Sequence, residues 1–297
     1  MTRVACLGEV MLELRPSNGR NQLSLGFAGD SYNTAVMLAR QGVSVSYITA
    51  LGADRFSQQI IDAAASEGID TGAMFQSGQN LPGLYLIQND PSGEREFFYW
   101  REHSPARRLF ASEESTVLCI EKICEAQWLY LSGISVAVMG QASQVNFLNA
   151  MQEIKRAGVK VAYDPNYRPA LWNSVEIAQR WHADMLGYSD LVLPTMIDEQ
   201  PLWERDSQQG IVERCWAAGV GEVVIKCPQA RAVAWRDGES AEAQSHYRGP
   251  VVDTTGAGDA FNAGYLAACF SGAPLAVCLE KAHEVASRVV AVRGALP

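Results

Sequence analysis

The sequence predicts an α/β fold in three layers, a mainly parallel β-sheet with helices on both faces, together with a small β-sheet lid. Two observations carry this reading. Short apolar, β-branched runs alternate with segments of helical period along most of the chain, and one stretch, residues 81–102, breaks the alternation. Alternating strands and helices imply right-handed crossovers between parallel strands, and a sheet built that way is covered on both faces. No internal repeat, low-complexity tract or Pro/Ser-rich linker divides the chain, so residues 1–297 are expected to form one domain.

Taken in order, strands are expected in "VACLGEV" (4–10), "SYITALG" (46–52), "WLYLSGI" (128–134), "VKVAYDP" (159–165), "DLVLP" (190–194) and "EVVIK" (222–226). Helices are expected in "NTAVMLARQG" (33–42), "FSQQIIDAAASEG" (56–68), "SQVNFLNAMQEIKRAG" (143–158) and "QQGIVERCWAAG" (208–219), each ending on a glycine, as helices often do. The exception, "LPGLYLIQNDPSGEREFFYWRE", reads as two strands joined by an Asp-Pro-Ser-Gly turn. Side chains alternate in a strand, so Phe97, Tyr99 and Arg101 share one face and Phe98 and Trp100 the other. A hairpin apolar on both faces is not stable alone in water. It is expected to pair with strands near residues 11–27, to cover a cleft as a lid, and to meet a second copy of the chain in a homo-oligomer.

The chain has 297 residues, 48% hydrophobic and 19% charged, enough for a substantial core. A formal net charge of −9 argues against nucleic acid or an anionic membrane as a general partner, and an anionic ligand would need arginines placed locally against that field. The seven cysteines have no CxxC or zinc-knuckle spacing, and the four histidines (103, 182, 246, 283) no metal-ligand spacing. Free thiols, no apolar span and an N-terminus without a signal-like apolar region lead to the expectation of a soluble cytoplasmic protein.

The chemistry concentrates in "DTTGAGDAF" (253–261), followed by the helical "AFNAGYLAACFSG". A Gly-rich turn opening a helix directs unpaired N–H groups and the positive dipole end at one spot, an anion site. No Lys-Ser/Thr follows the glycines, so this is not a Walker-type loop. Asp259 stands there instead, and a carboxylate beside a bound phosphate is explained if it accepts a proton.

This stretch resembles the C-terminal signature of the PfkB, or ribokinase-like, carbohydrate kinases. Upstream, Gly29, Asn33, Ala35, Gly42 and Gly52 have the spacing of that family's N-terminal signature. The lid hairpin, "LYLSGISVAV", "DPNYRPALW" and the Gly-Glu of "CLGEVMLEL" resemble the family members that act on the sugar acid 2-keto-3-deoxygluconate. The resemblance implies a ribokinase-like fold, ATP and Mg²⁺, and transfer of the γ-phosphoryl group to the sugar acid's terminal hydroxyl. It implies Asp259 as base, with Gly256, Ala257 and Gly258 forming the anion turn. The backbone N–H groups of Ala257, Gly258 and Asp259 would supply fixed positive potential. An ordinary carboxyl pKa of about 4 would keep Asp259 ionised at neutral pH. Gly29, Asn33, Tyr85, Tyr99, Arg101, Ile134 and Arg168 would contact substrate, the two arginines pairing with its carboxylate by forked hydrogen bonds. Lys226, Thr255, Gly256 and Gly258 would contact nucleotide. Asp164, ending a strand, is either a ligand contact or the cap of its turn, and Gly29-Asp30 either a contact or a tight turn.

Three departures from the family pattern stand out. Ala28-Gly29 replaces a Gly-Gly, adding a methyl beside the sugar pocket. Lys226-Cys227-Pro228-Gln229-Ala230-Arg231 replaces a Lys-x-Gly-x-x-Gly on the nucleotide wall, and Pro228 brings a fixed φ and no N–H. Thr195, Asp198 and Glu199 stand where an Asn-x-x-Glu tends magnesium, and either acid would act through water. The rival readings are a neutral-sugar kinase of the same family and a non-catalytic sugar-acid sensor. A dinucleotide-dependent dehydrogenase is set aside because no GxGxxG follows the first strand.

Overall fold

The computed structural model describes residues 2–17, 22–76, 78–89, 95–203 and 207–296. Its strands, in chain order, are β1 (Arg3–Leu7), β2 (Met11–Pro16), β3 (Leu23–Ala28), β4 (Ser44–Leu51), β5 (Met74–Gln76), β6 (Leu84–Asn89), β7 (Arg95–Trp100), β8 (Trp128–Ser132), β9 (Lys160–Asp164), β10 (Leu191–Val192), β11 (Glu222–Cys227), β12 (Arg231–Arg236) and β13 (Glu239–Gln244). Nine form one sheet in the order β13-β12-β11-β10-β9-β8-β1-β4-β5. From β11 to β5 every pairing is parallel, whereas β11, β12 and β13 are antiparallel neighbours.

The first strand shows why the sheet lies in the middle. In β1, Val4 and Cys6 belong to one hydrophobic cluster and Ala5 and Leu7 to the other, one cluster on each face. Helices Asp30–Arg40, Arg55–Ser66, Ala257–Phe270 and Leu275–Val290 bury side chains in the first cluster. Helices Glu113–Cys124, Gln141–Arg156, Val175–Tyr188 and Gln208–Ala217 bury theirs in the second. A strand apolar on both faces needs cover on both, and the three layers follow.

The lid is a separate four-stranded sheet, β3-β2-β6-β7. Its hairpin places Tyr85 opposite Tyr99 and Leu84 opposite Trp100, and β6 pairs in parallel with β2. The Asp90–Gly93 turn expected between β6 and β7 lies outside the described residues. Strand β1 has β4 on one side and β8 on the other, so the chain winds outward in both directions from this point. A crevice forms at the carboxyl ends of strands beside such a switch.

Candidate active site

A cleft of about 950 Å³ opens there. Gly29, Asn33, Tyr85, Tyr99, Arg101, Ile134, Arg168, Asp198, Lys226, Thr255, Gly256, Gly258 and Asp259 all line it. Of the residues singled out in the sequence, Ala257 and Glu199 do not. Ala257 faces an adjoining cavity of about 450 Å³, which meets the cleft at Thr195, Lys226, Thr254 and Gly258.

The anion turn is held by contacts that explain its glycines. Gly256 has φ of +75°, and a Cβ there would fall 2.8 Å from the Ala295 Cβ, so both backbone and space require glycine. A Cβ on Gly258 would meet nothing within 4 Å, which keeps that spot open to a ligand. Asp253 fixes the turn by accepting from the backbone N–H of Thr255 (2.7 Å) and of Gly294 (2.8 Å). The N–H of Ala257 donates to the Thr254 carbonyl at 3.2 Å. It is therefore engaged within the turn, contrary to its expected place in the anion site.

Asp259 lies in the first turn of helix Ala257–Phe270 and accepts from the Asn33 side-chain amide at 2.8 Å. Its environment corrects the expectation of an ordinary acid. Burial pushes its pKa up to about 8, aided by the Asp30 and Asp164 carboxylates; the Asn33 hydrogen bond and Lys226 pull the other way. The group is thus a stronger base than a free carboxylate. Asn33 also accepts from the Gly29 N–H at 3.4 Å, tying helix Asp30–Arg40 to the base. A Cβ on Gly29 would run into the Glu9 carbonyl, which accounts for that glycine. Ala28 does not line the cleft: its methyl packs with Met11, Tyr85 and Ile87 beneath the lid.

The two arginines reach the cleft already paired. Arg101 bonds to Glu9, whose side chain is 2% exposed, and Arg168 donates to Asp198 at 2.8 Å. The guanidiniums are thereby oriented, and only part of each fork is left for a ligand. Burial raises the Asp198 pKa against the pull of Arg168. Tyr85 presents its ring, but its hydroxyl donates to the buried Glu13, so it does not offer the free polar tip expected of it. Tyr99 is half exposed, with the Arg101 guanidinium 5.7 Å from its ring centre.

Asp164 caps its turn, one of its two expected readings, and also lines the cleft. One oxygen accepts from the Asn166 N–H, capping the turn, while the other accepts from Lys226 (2.8 Å) and Asn262 (2.6 Å). Lys226 also donates to Asn262 at 2.9 Å, so its ammonium is fixed at the junction of cleft and side cavity. The sequence reading named Glu9 only as part of the Gly-Glu of the resemblance, without a role in the site, and missed Asn262. The first follows β1 at the strand's carboxyl end; the second lies three residues after Asp259, on the same side of its helix.

Glu199 is fully buried and pairs with Arg214 at 2.9 Å. That removes it from the cleft, as a carboxylate in the interior needs a cation beside it. Asp164, Asp198 and Thr195 remain as hard oxygen donors lining the cleft, a donor set that suits a magnesium ion bound largely through water. Among the described residues no group of three or more His, Cys, Asp or Glu side chains that could hold a metal ion is present.

The adjoining cavity has a different character, with Ala257, Phe261, Ala286, Val251 and Val290 among its lining residues. Its edge is the segment that lacks the two glycines. Gln229 and Ala230 nonetheless have φ of 60° and 53°, the left-handed region that costs an L-residue about 1–2 kcal/mol. Bonds hold it there: Ser245 N–H to Ala230 O at 2.9 Å and the Gln244 amide to Gln229 O at 3.3 Å.

Among the described residues no helix is long and apolar enough to cross a membrane. The chain is 38% identical to the 2-dehydro-3-deoxygluconokinase of Escherichia coli (strain K12), covering 99% of this chain and 96% of that protein. It is 37% identical to the protein of the same name from Dickeya dadantii (strain 3937), over 99% and 96%. The fold is similar to the crystal structure of the Thermotoga maritima 2-dehydro-3-deoxygluconokinase, with a TM-score of 0.87 and 22% identity over 100% of this chain and 96% of that one. The model of the pfkB family carbohydrate kinases matches residues 1–297. With its cleft, anion turn and lid in the places described, the chain belongs to the pfkB family of carbohydrate kinases, which use ATP as phosphoryl donor.

Proposed function

We propose that the protein phosphorylates 2-keto-3-deoxygluconate on its terminal primary hydroxyl, using ATP and Mg²⁺. The observation that carries this is one cleft with Asp259 and the Gly256–Gly258 turn on its floor and Arg101 and Arg168 on its wall. The relatives named above support the choice of a sugar acid.

In this reading the carboxylate lies against Arg101 and Arg168, and the terminal hydroxyl reaches Asp259. Asp259 takes the hydroxyl proton as the new O–P bond forms and the γ-phosphorus separates from the β–γ bridging oxygen, releasing ADP. Asn33 aims the base. Gly256 and Gly258, at the helix start, allow phosphate oxygens to approach the chain closely, where the helix dipole favours negative charge. Lys226 and Thr255 face the donor phosphates, and the adjoining cavity takes the nucleoside. A magnesium ion held near Asp164 and Asp198 would neutralise phosphate charge. Tyr85, Tyr99 and Ile134 enclose the polyol chain.

Residues 1–297 act as one kinase domain with its lid, and seven free cysteines suit a reducing cytoplasm. Trp100 (59% exposed) and Phe98 (40%) leave apolar surface on the lid that suits a second copy of the chain. A coupled ADP-release assay with 2-keto-3-deoxygluconate, gluconate, fructose and ribose tests the substrate. The 2-keto-3-deoxy acid should have the highest kcat/KM, by at least about tenfold, the yield of one charge-assisted hydrogen bond. Equal or better turnover of fructose would make the protein a neutral-sugar kinase.

A further inference from the structure

Beside the cleft lies a third cavity, of about 850 Å³, sharing Tyr99, Arg101, Ile134 and Arg168 with it. The two differ in sign. The cleft is lined by five carboxylates against three cationic side chains. The side cavity is lined by Arg101, Arg107, Arg168 and Arg180, with Glu102 as its one acid among the described residues. Arg101 and Arg168 are charge-compensated by Glu9 and Asp198. Arg107 has no ion pair with a described residue, and Arg180 feels Glu176 only at longer range.

An anion approaching a chain of net charge −9 meets a repulsive field, and the excess of acids lining the cleft opposes it further. Two cations without a direct ion pair to a described residue, next to the arginines proposed to bind the carboxylate, outweigh Glu102 and reverse that field locally. We propose that this cavity is the entry vestibule for anionic substrate: Arg107 and Arg180 draw the carboxylate in and pass it to Arg101 and Arg168. The proposal rests on the sugar-acid reading above. It makes Arg107 and Arg180 residues of substrate selection that leave the transfer step untouched.

Trp172 and Trp181 line the same cavity and supply an optical signal. Stopped-flow tryptophan fluorescence would follow binding of 2-keto-3-deoxygluconate to the wild type, to Arg107→Gln/Arg180→Gln and to Arg107→Lys/Arg180→Lys across a salt series. The glutamine pair should lower the association rate about tenfold at low salt and flatten its salt dependence, converging on the wild type at high salt. The lysine pair should keep most of the rate, and kcat should stay within about twofold in both. An unchanged association rate and salt slope in the glutamine pair would overturn the vestibule. So would an equal loss in the lysine pair that persists at high salt, which marks a packing role. A wild type that turns over neutral sugars and not the acid defeats the substrate reading and this one with it, whereas an acid-active wild type with salt-insensitive variants defeats this one alone.

Discussion

On the side of Lys226 proposed to take the sugar, the charged groups of the cleft are held by directed polar bonds: Arg101 by Glu9, Arg168 by Asp198 and Lys226 by Asp164 in ion pairs, and Asp259 by the neutral Asn33 amide. On the nucleotide side, past Gly258, several lining side chains are apolar and the edge segment is pinned by two backbone-carbonyl bonds. The contrast bears on tolerance. Directed bonds between buried charges, as at Arg101–Glu9 and Lys226–Asp164, lose several kcal/mol when one partner goes, because the other is stranded. Apolar contact varies smoothly with area and accepts substitutions. The half proposed for the sugar should therefore resist change more than the half proposed for the nucleotide.

The largest expected effect lies on the sugar side. Asp259→Asn should keep sugar binding and lower kcat by about 10²- to 10⁴-fold, the range for a positioned base. Near-full kcat in that variant would place the base elsewhere. Next comes pH: with a pKa near 8, the base is increasingly protonated as pH falls, so kcat/KM for the sugar should drop about tenfold per pH unit below that value. Asp30→Asn removes a carboxylate that raises this pKa and should move the limb to lower pH; a limb fixed in that variant would break the electrostatic account.

Smaller effects belong to the nucleotide side. Pro228→Gly should change KM for ATP a few-fold, about 1 kcal/mol or less, and leave KM for sugar alone. Equal changes in both would mean that this segment is not the nucleotide wall. The smallest effect is on stability: Ala230→Gly removes a left-handed alanine and should raise Tm by about 2 °C. A lower Tm would show that the segment's bonds need the alanine methyl in place.

How much of this was legible in the sequence follows the same division. The alternation of apolar runs with helical segments was enough for the layered sheet, since a strand buried on both faces has no polar alternation to confuse it. The hairpin at β12 and β13 was missed although Asp237-Gly238, now at φ 52° and 80°, carries its turn signal. Within the site, many of the residues lining the cleft could be named from their motifs, but Met11, Glu96, Asn166 and Thr254, which line it too, were given no role. Their partners could not: Glu9 and Arg101 are 92 residues apart, and nothing local in either stretch says that they meet. The same holds for Asp259, whose pKa is raised first by burial and then by Asp30 and Asp164, far away in the chain. Glu199 and Asp198 are neighbours in sequence, and only the helix phase decides which enters the cleft and which is buried against Arg214.

If the paired arginines recognise a carboxylate, one change on each side of that contact will expose it. We would measure kcat/KM for 2-keto-3-deoxygluconate and for its carboxamide, with the wild type and with Arg168→Lys. A charge-assisted hydrogen bond contributes about 1.5–3 kcal/mol, so the mutation should cost the acid roughly ten- to a hundredfold. The carboxamide, poor with the wild type, should be no worse with the variant. If acid and amide lose equally, Arg168 serves the cleft through Asp198 and its packing, and the carboxylate is bound elsewhere.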